Sequence, residues 1–196
     1  MKAALILPAL AVVGALALSS VFIVDERETV LVLQFGQVKQ EVREPGLGFK
    51  IPFIQDVVYY EDRILGLPTN PIEVTPADDR RLVVDAFARW RIVDLVQFRQ
   101  AVGAGGEDTA RQRLDRIINA AIREIMGGVP STAVLSEDRT ALMNRIRDIA
   151  RREASSLGVE VIDVRLTRTD LPEQNLEATF ARMRAERQRE AADEIA

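Results

Sequence analysis

Hydrophobic and polar positions follow several periods along this chain, and each change of period predicts a change of element. Ala3–Val24 is a run of 22 residues without a charge, twelve of them Leu, Ile, Val or Phe, bounded by Lys2 and by Asp25-Glu26-Arg27-Glu28. At about 1.5 Å per residue the run reaches roughly 33 Å, the depth of a bilayer core, which predicts a transmembrane helix. The nearby positive charges, Lys2 and the α-amino group, precede the run and the flank behind it is net acidic, so the N-terminus is expected in the cytoplasm and everything after Asp25 outside. A cleaved signal peptide is the other reading, because Ala15-Leu16-Ala17 resembles an A-x-A site. Against it, the run continues through Val21-Phe22-Ile23-Val24, past the roughly 7–15 residues such a segment needs. Both readings export the remaining chain.

Beyond Asp25 the period falls to two. Thr29–Phe35 is rich in β-branched residues, Gly36-Gln37 offers a turn, and Val38–Val42 returns as a partner strand. Leu47, Phe49, Ile51 and Phe53 alternate with Gly48, Lys50 and Pro52, with Pro52 expected to hold that segment at a sheet edge, and Asp56–Leu65 gives a further strand. In Leu82–Val93 the positions Leu82, Val84, Ala86, Ala88, Trp90 and Ile92 form one apolar face, read as the core face of a long strand, with Asp85 and Arg89 solvated.

After Asp94 the period becomes 3.6. Leu114, Ile117, Ile118, Ala121, Ile122 and Ile125 stripe one helix that Gly127-Gly128 ends. A second helix starts at Ser136-Glu137-Asp138-Arg139, buries Leu142, Ile146, Ile149 and Leu157, and stops at Gly158. Val159–Leu166 reads as a strand, and Leu171-Pro172-Glu173 opens a last helix marked by Leu176, Phe180 and Met183. The pattern divides the chain into an anchor over 1–24, a β-rich part over 25–94, an α/β part over 95–170 and a helical extension over 171–196.

Composition narrows the chemistry. With 26 basic and 30 acidic side chains the net charge is −4, which disfavours nucleic acid as a partner. The absence of His and Cys removes Ser-His-Asp and Cys-His catalysis, the usual zinc sites and disulfides. Gly103-Ala104-Gly105-Gly106 lacks the Lys-Ser/Thr of a P-loop and is followed by two acids, so it reads as a helix-start loop. Asp163, Asp170 and Glu173 match no calcium-loop spacing and neighbour Arg165 and Arg168. No serine lies near Lys39 or Lys50 in sequence, and there is no nucleophile elbow. No catalytic residue, metal ligand or cofactor is expected.

Two segments invite interaction. Pro45–Phe53 places Leu47, Phe49, Ile51 and Phe53 about 20 residues after the membrane run, where they either form a wedge in the outer leaflet or fill the core of the first small sheet. The terminal helix becomes almost wholly polar after Met183, with Arg182, Arg184, Glu186, Arg187, Arg189, Glu190, Asp193 and Glu194 in 13 residues. Such a helix is best explained by packing beside neighbouring helices, which makes Leu176, Phe180, Met183, Arg187 and Ala191 the expected oligomerisation contacts. It reaches Ile195-Ala196 uncapped, as though continuing in a longer parent.

Three segments carry a resemblance. Glu44–Ile54 after an N-terminal apolar run, Ala88-Arg89-Trp90-Arg91-Ile92-Val93-Asp94, and Asp170-Leu171-Pro172-Glu173 leading to Ala181–Ala192 resemble the stomatin, prohibitin, flotillin and HflK/HflC (SPFH) family over nearly the whole chain. The Met183–Ala192 run is similar to the HflC branch more than to HflK or the prohibitins. Gly48 departs from that branch, whose members often carry His there. The resemblance implies an α+β fold: a transmembrane helix, an SPFH (prohibitin-homology) domain of small antiparallel sheets and packed helices, and the start of a long coiled-coil helix. It further implies a non-enzymatic subunit of a large hetero-oligomeric cage, formed with an HflK-like paralogue on the outer face of the bacterial inner membrane around an FtsH-like AAA protease. From the residues alone, a stand-alone exported or tethered lipid-binding module is the alternative, and an atypical hydrolase a weaker third.

Overall fold

The period-two segments pair into three separate small sheets in the computed structural model, which describes residues 14–15, 17–79, 81–132 and 139–170. Strands β1 (Val21–Val24) and β4 (Gly46–Phe49) form an antiparallel ribbon. Strands β2 (Glu28–Gln34), β3 (Gln37–Val42) and β5 (Gln55–Glu61) form an antiparallel sheet in the order β3-β2-β5. The third sheet has the order β6 (Leu65–Pro68), β8 (Leu82–Ile92), β7 (Ile72–Val74), with β9 (Val159–Asp170) also on β8. The α-helices described from end to end are α1 (Leu95–Val102), α2 (Gly106–Gly127) and α3 (Arg139–Ala154).

The chain divides into two compact units. Of the described residues, the first comprises 14–15, 17–65, 91–110 and 156–160; the second comprises 66–79, 81–90, 111–132, 139–155 and 161–170. In the first, β2 is buried on both faces. Val30 and Val32 join Phe22 and Val24 of β1 in one apolar cluster, with Val42 and Val57 packed against it. On the opposite side Tyr60 meets Phe98 of α1 edge to face, ring centroids 5.5 Å apart. Asp94 caps α1 by accepting a 2.8 Å bond from the Gln97 amide. Gly158, at φ +71°, lies where a Cβ would stand 2.5 Å from the Asp94 carbonyl oxygen and 2.7 Å from the Phe98 nitrogen, so this turn requires glycine twice over.

In the second unit β8 buries Leu82, Val84, Ala86, Ala88 and Trp90, the face its alternation predicts. Asp85 is half-buried rather than solvated, while Arg89 is exposed. Leu114, Ile118, Ala121, Ile122 and Ile125 are buried along α2, and Leu142, Ile146, Ala150 and Ala154 along α3; Ile117 and Ile149 are half-buried at the margins of those stripes.

Four expectations change. Val21–Val24, counted with the transmembrane run, is a strand whose Phe22 and Val24 are buried, so the uncharged run available to an anchor is Ala3–Ser20. The same strand removes the length argument against a cleaved leader. The hairpin turn is Phe35-Gly36 rather than Gly36-Gln37, because both central residues of this two-residue loop have positive φ, +51° and +80°. The alternation over Leu47–Phe53 gives a strand only to Phe49; Pro52 lacks an amide for a ladder and lies in the turn before β5. Gly103–Gly105 leads directly into α2, as a helix-start loop, with Gly103 and Gly106 at positive φ; what changes is that a separate eight-residue helix, α1, precedes it, too short for its period to show. Among the described residues no helix is long and apolar enough to cross a membrane. The Ser136–Asp138 cap and the entire 171–196 extension lie outside the described residues.

Candidate functional site

The β1–β4 ribbon has two unlike faces. Its register pairs Val21 with Phe49, Phe22 with Gly48, Ile23 with Leu47 and Val24 with Gly46. Alternation therefore sends Phe22 and Val24 inward over two glycines and sends Val21, Ile23, Leu47 and Phe49 outward. A Cβ on Gly48 would stand 2.2–2.7 Å from the Phe22 ring, so the missing side chain at 48 is the space the ring occupies. The outward residues pack on nothing comparable: Leu47 is 69% and Phe49 72% exposed. The reading in which Leu47, Phe49, Ile51 and Phe53 fill the first small sheet does not hold, since all four are exposed.

Hydrogen bonds hold the segment between β4 and β5 in place. The Lys50 amide donates to the Ser20 carbonyl at 2.8 Å, and the Ser20 hydroxyl donates to the Lys50 carbonyl. These two residues, 30 apart in sequence, tie the end of the N-terminal apolar run to the end of β4. The hydroxyl is thereby engaged with main chain rather than with the Lys50 amine. The next turn is closed by the Gln55 side-chain oxygen, which accepts from the Ile51 amide at 2.8 Å, and by the Gln55 amide donating to the Ile51 carbonyl at 3.0 Å. Inside that turn Phe53 sits at φ +67° and is 93% exposed.

A second turn reaches the same end. Gln34 of β2 is in register with Gln55 of β5 and with Gln37 of β3, so the Phe35-Gly36 tip and the Ile51–Ile54 turn both project past that last rung. Phe35 is 83% exposed at φ +51°. Sequence reasoning missed Phe35, Val21, Ile23 and Ile54. The available signal for Phe35 was a large apolar residue at a hairpin position that ordinarily takes Asn, Asp or Gly; Val21 and Ile23 were hidden inside a longer apolar run.

Several charged groups elsewhere are paired with one another. Asp163 binds Arg165 at 2.8 Å and Arg89 at 3.5 Å, and Glu160 binds Arg91 at 2.8 Å. Asp170 and Glu173, grouped with Asp163 in the sequence, have side chains outside the described residues. Among the described residues no three carboxylates gather as a metal-ion cage. The Arg63 guanidinium, hydrogen-bonded at 2.7 and 2.8 Å, holds the Glu61 carboxyl below its ordinary value, an exposed pair on the surface. Leu176, Phe180, Met183, Arg187 and Ala191, expected to mediate oligomerisation, lie outside the described residues.

The comparisons agree on one family. The model of the SPFH domain / Band 7 family matches residues 22–196. Protein HflC of Haemophilus influenzae is 30% identical, covering 93% of this chain and 65% of that protein. Protein HflC of Vibrio cholerae is 28% identical over 94% of this chain and 68% of its own length. The modulator of FtsH protease HflC of Escherichia coli K12 is 28% identical over 86% of this chain and 64% of its own. The chain thus spans about two thirds of the length of the curated relatives it matches.

Proposed function

The chain belongs to the SPFH domain / Band 7 family, and on that premise we propose that it is a non-enzymatic, membrane-anchored scaffold subunit of the HflC type. The observation that carries the reading is the bare apolar surface of Val21, Ile23, Leu47 and Phe49, continued by Ile51 and Phe53, at the place where the N-terminal apolar run joins the fold. Ala3–Ser20 gives 18 uncharged residues, about 27 Å as a helix, long enough to anchor the chain with its N-terminus cytoplasmic and its body outside. Emerging at Ser20 and bonded to Lys50, the anchor delivers the ribbon to the bilayer surface, where its apolar side chains enter the outer leaflet.

The relatives' names support the partner assignment: one is a modulator of the protease FtsH. In this proposal the subunit assembles with an HflK-like paralogue into a large cage that encloses an FtsH-like AAA protease and limits its access to membrane substrates. Leu176, Phe180, Met183, Arg187 and Ala191 then line the contacts between neighbouring terminal helices. The test is to tag the full-length protein, extract native membranes in mild detergent, and measure particle mass and co-eluting proteins. A megadalton-class particle containing a paralogue and an AAA protease is the expected result. A small particle with neither overturns the cage and leaves a lipid-binding module.

A further inference from the structure

We infer that Phe35, at the tip of the β2–β3 hairpin, is a second lipid-inserting prong beside Phe53, each phenylalanine being held in a left-handed backbone for the sake of the bilayer rather than of the fold. Left-handed φ is sterically unfavourable for a residue with a Cβ, and a two-residue hairpin of this kind is best served by Asn, Asp or Gly at its first central position. Phe35 occupies that position at φ +51°, and Phe53 sits at φ +67°. Neither recovers the cost by packing, since they are 83% and 93% exposed. Among the described residues nothing favours an aromatic ring at either turn.

Several observations make the occupant a lipid bilayer. The Gln34–Gln55 register puts the two tips at one end of the sheet. The rung behind them is formed by Gln34, Gln37 and Gln55, an uncharged polar collar of the kind that suits a headgroup layer. The Ser20–Lys50 bonds bring the chain's own 18-residue uncharged run to the turn that carries Phe53. The inference rests on the membrane seating proposed above and adds a residue on a different element, with a sign that ordinary structural residues do not show: replacing it should stabilise the fold while weakening lipid contact.

The experiment uses the full chain in phosphatidylcholine vesicles with and without brominated acyl chains. Trp90 is fully buried and supplies a constant background that the unaltered chain subtracts. With Phe35→Trp and, separately, Phe53→Trp, the added emission should fall about twofold or more in brominated vesicles. In detergent, Phe35→Asn should raise the unfolding midpoint by about 2–4 °C, as relief of left-handed strain predicts. Quenching at 53 without quenching at 35 overturns the hairpin prong and leaves the seating intact. Quenching at neither overturns both. A blue-shifted but unquenched Trp at 35 assigns the tip to a protein surface and also overturns the inference, as does a lowered midpoint for Phe35→Asn.

Discussion

Two sheet faces of this molecule point away from its cores, and they are finished in opposite ways. The outward side of β8 and β9 carries Arg89, Arg91, Glu160 and Asp163 joined as ion pairs, with Phe87 laid over Gly66. Each such pair adds little stability, but it leaves a surface that water solvates without cost. The outward side of the β1–β4 ribbon carries Val21, Ile23, Leu47 and Phe49 with no charge among them. Both faces follow the same two-residue alternation. The alternation therefore assigns a side chain to a face, while only the chemistry of that face says what it meets, and a contiguous bare apolar face marks an interaction site.

The strongest way to break the contrast is to give the ribbon the chemistry of the other face. In the full chain reconstituted in vesicles, Phe49→Asp with Phe53→Asp should remove about 3–6 kcal/mol of seating, two aromatic burials, while stability in detergent does not fall and rises by about 1 kcal/mol as Asp relieves the left-handed strain at 53. Hydrogen exchange at the Leu47–Ile54 amides should accelerate in vesicles only; global unfolding in detergent would instead show that the fold depends on these side chains. A sharper test stays within the ribbon. Gly48→Val should cost about 1–3 kcal/mol in denaturant unfolding by driving into the Phe22 ring, whereas Ile23→Thr on the outward face should cost less than about 0.5. On the charged face, Arg91→Ala should lower stability by only about 0.2–1 kcal/mol, measured in the same titration.

The smallest effect belongs to Glu61. Its carboxyl is held below the ordinary value of 4.5, chiefly by the hydrogen bond from Arg63, so the pair's contribution is present above that value and is lost as pH falls through the folded one. Arg63→Gln should leave stability at neutral pH nearly unchanged and slightly flatten the decline below about pH 4.5, read from unfolding midpoints across the acid range.

Much of the fold was legible because long segments repeat their period many times. The face of β8 and the stripes of α2 and α3 follow from alternation and 3.6 spacing alone. Short elements escaped for want of repeats: β1 has four residues, all apolar, and cannot be told from the end of a membrane run. Helix α1 has eight residues, little more than two turns. At the site, alternation pointed to Leu47, Phe49, Ile51 and Phe53 but left their direction open. Direction depends on which strand pairs with β4, and that partner lies more than 20 residues away inside another pattern. The strain at Phe35 and Phe53 is a property of backbone angles, and only the unusual occupancy of the Phe35 turn hinted at it.

The Phe22 ring and the absent side chain at Gly48 share one parcel of space, which has a consequence for how this family can change over time. Bulk can be transferred from position 22 to position 48, but a large residue added at 48 alone meets an occupied site. The two positions should covary, so that a relative with a bulky residue aligned to 48 carries a smaller one aligned to 22. A chimera importing one member of the pair without the other should fold less well than either parent.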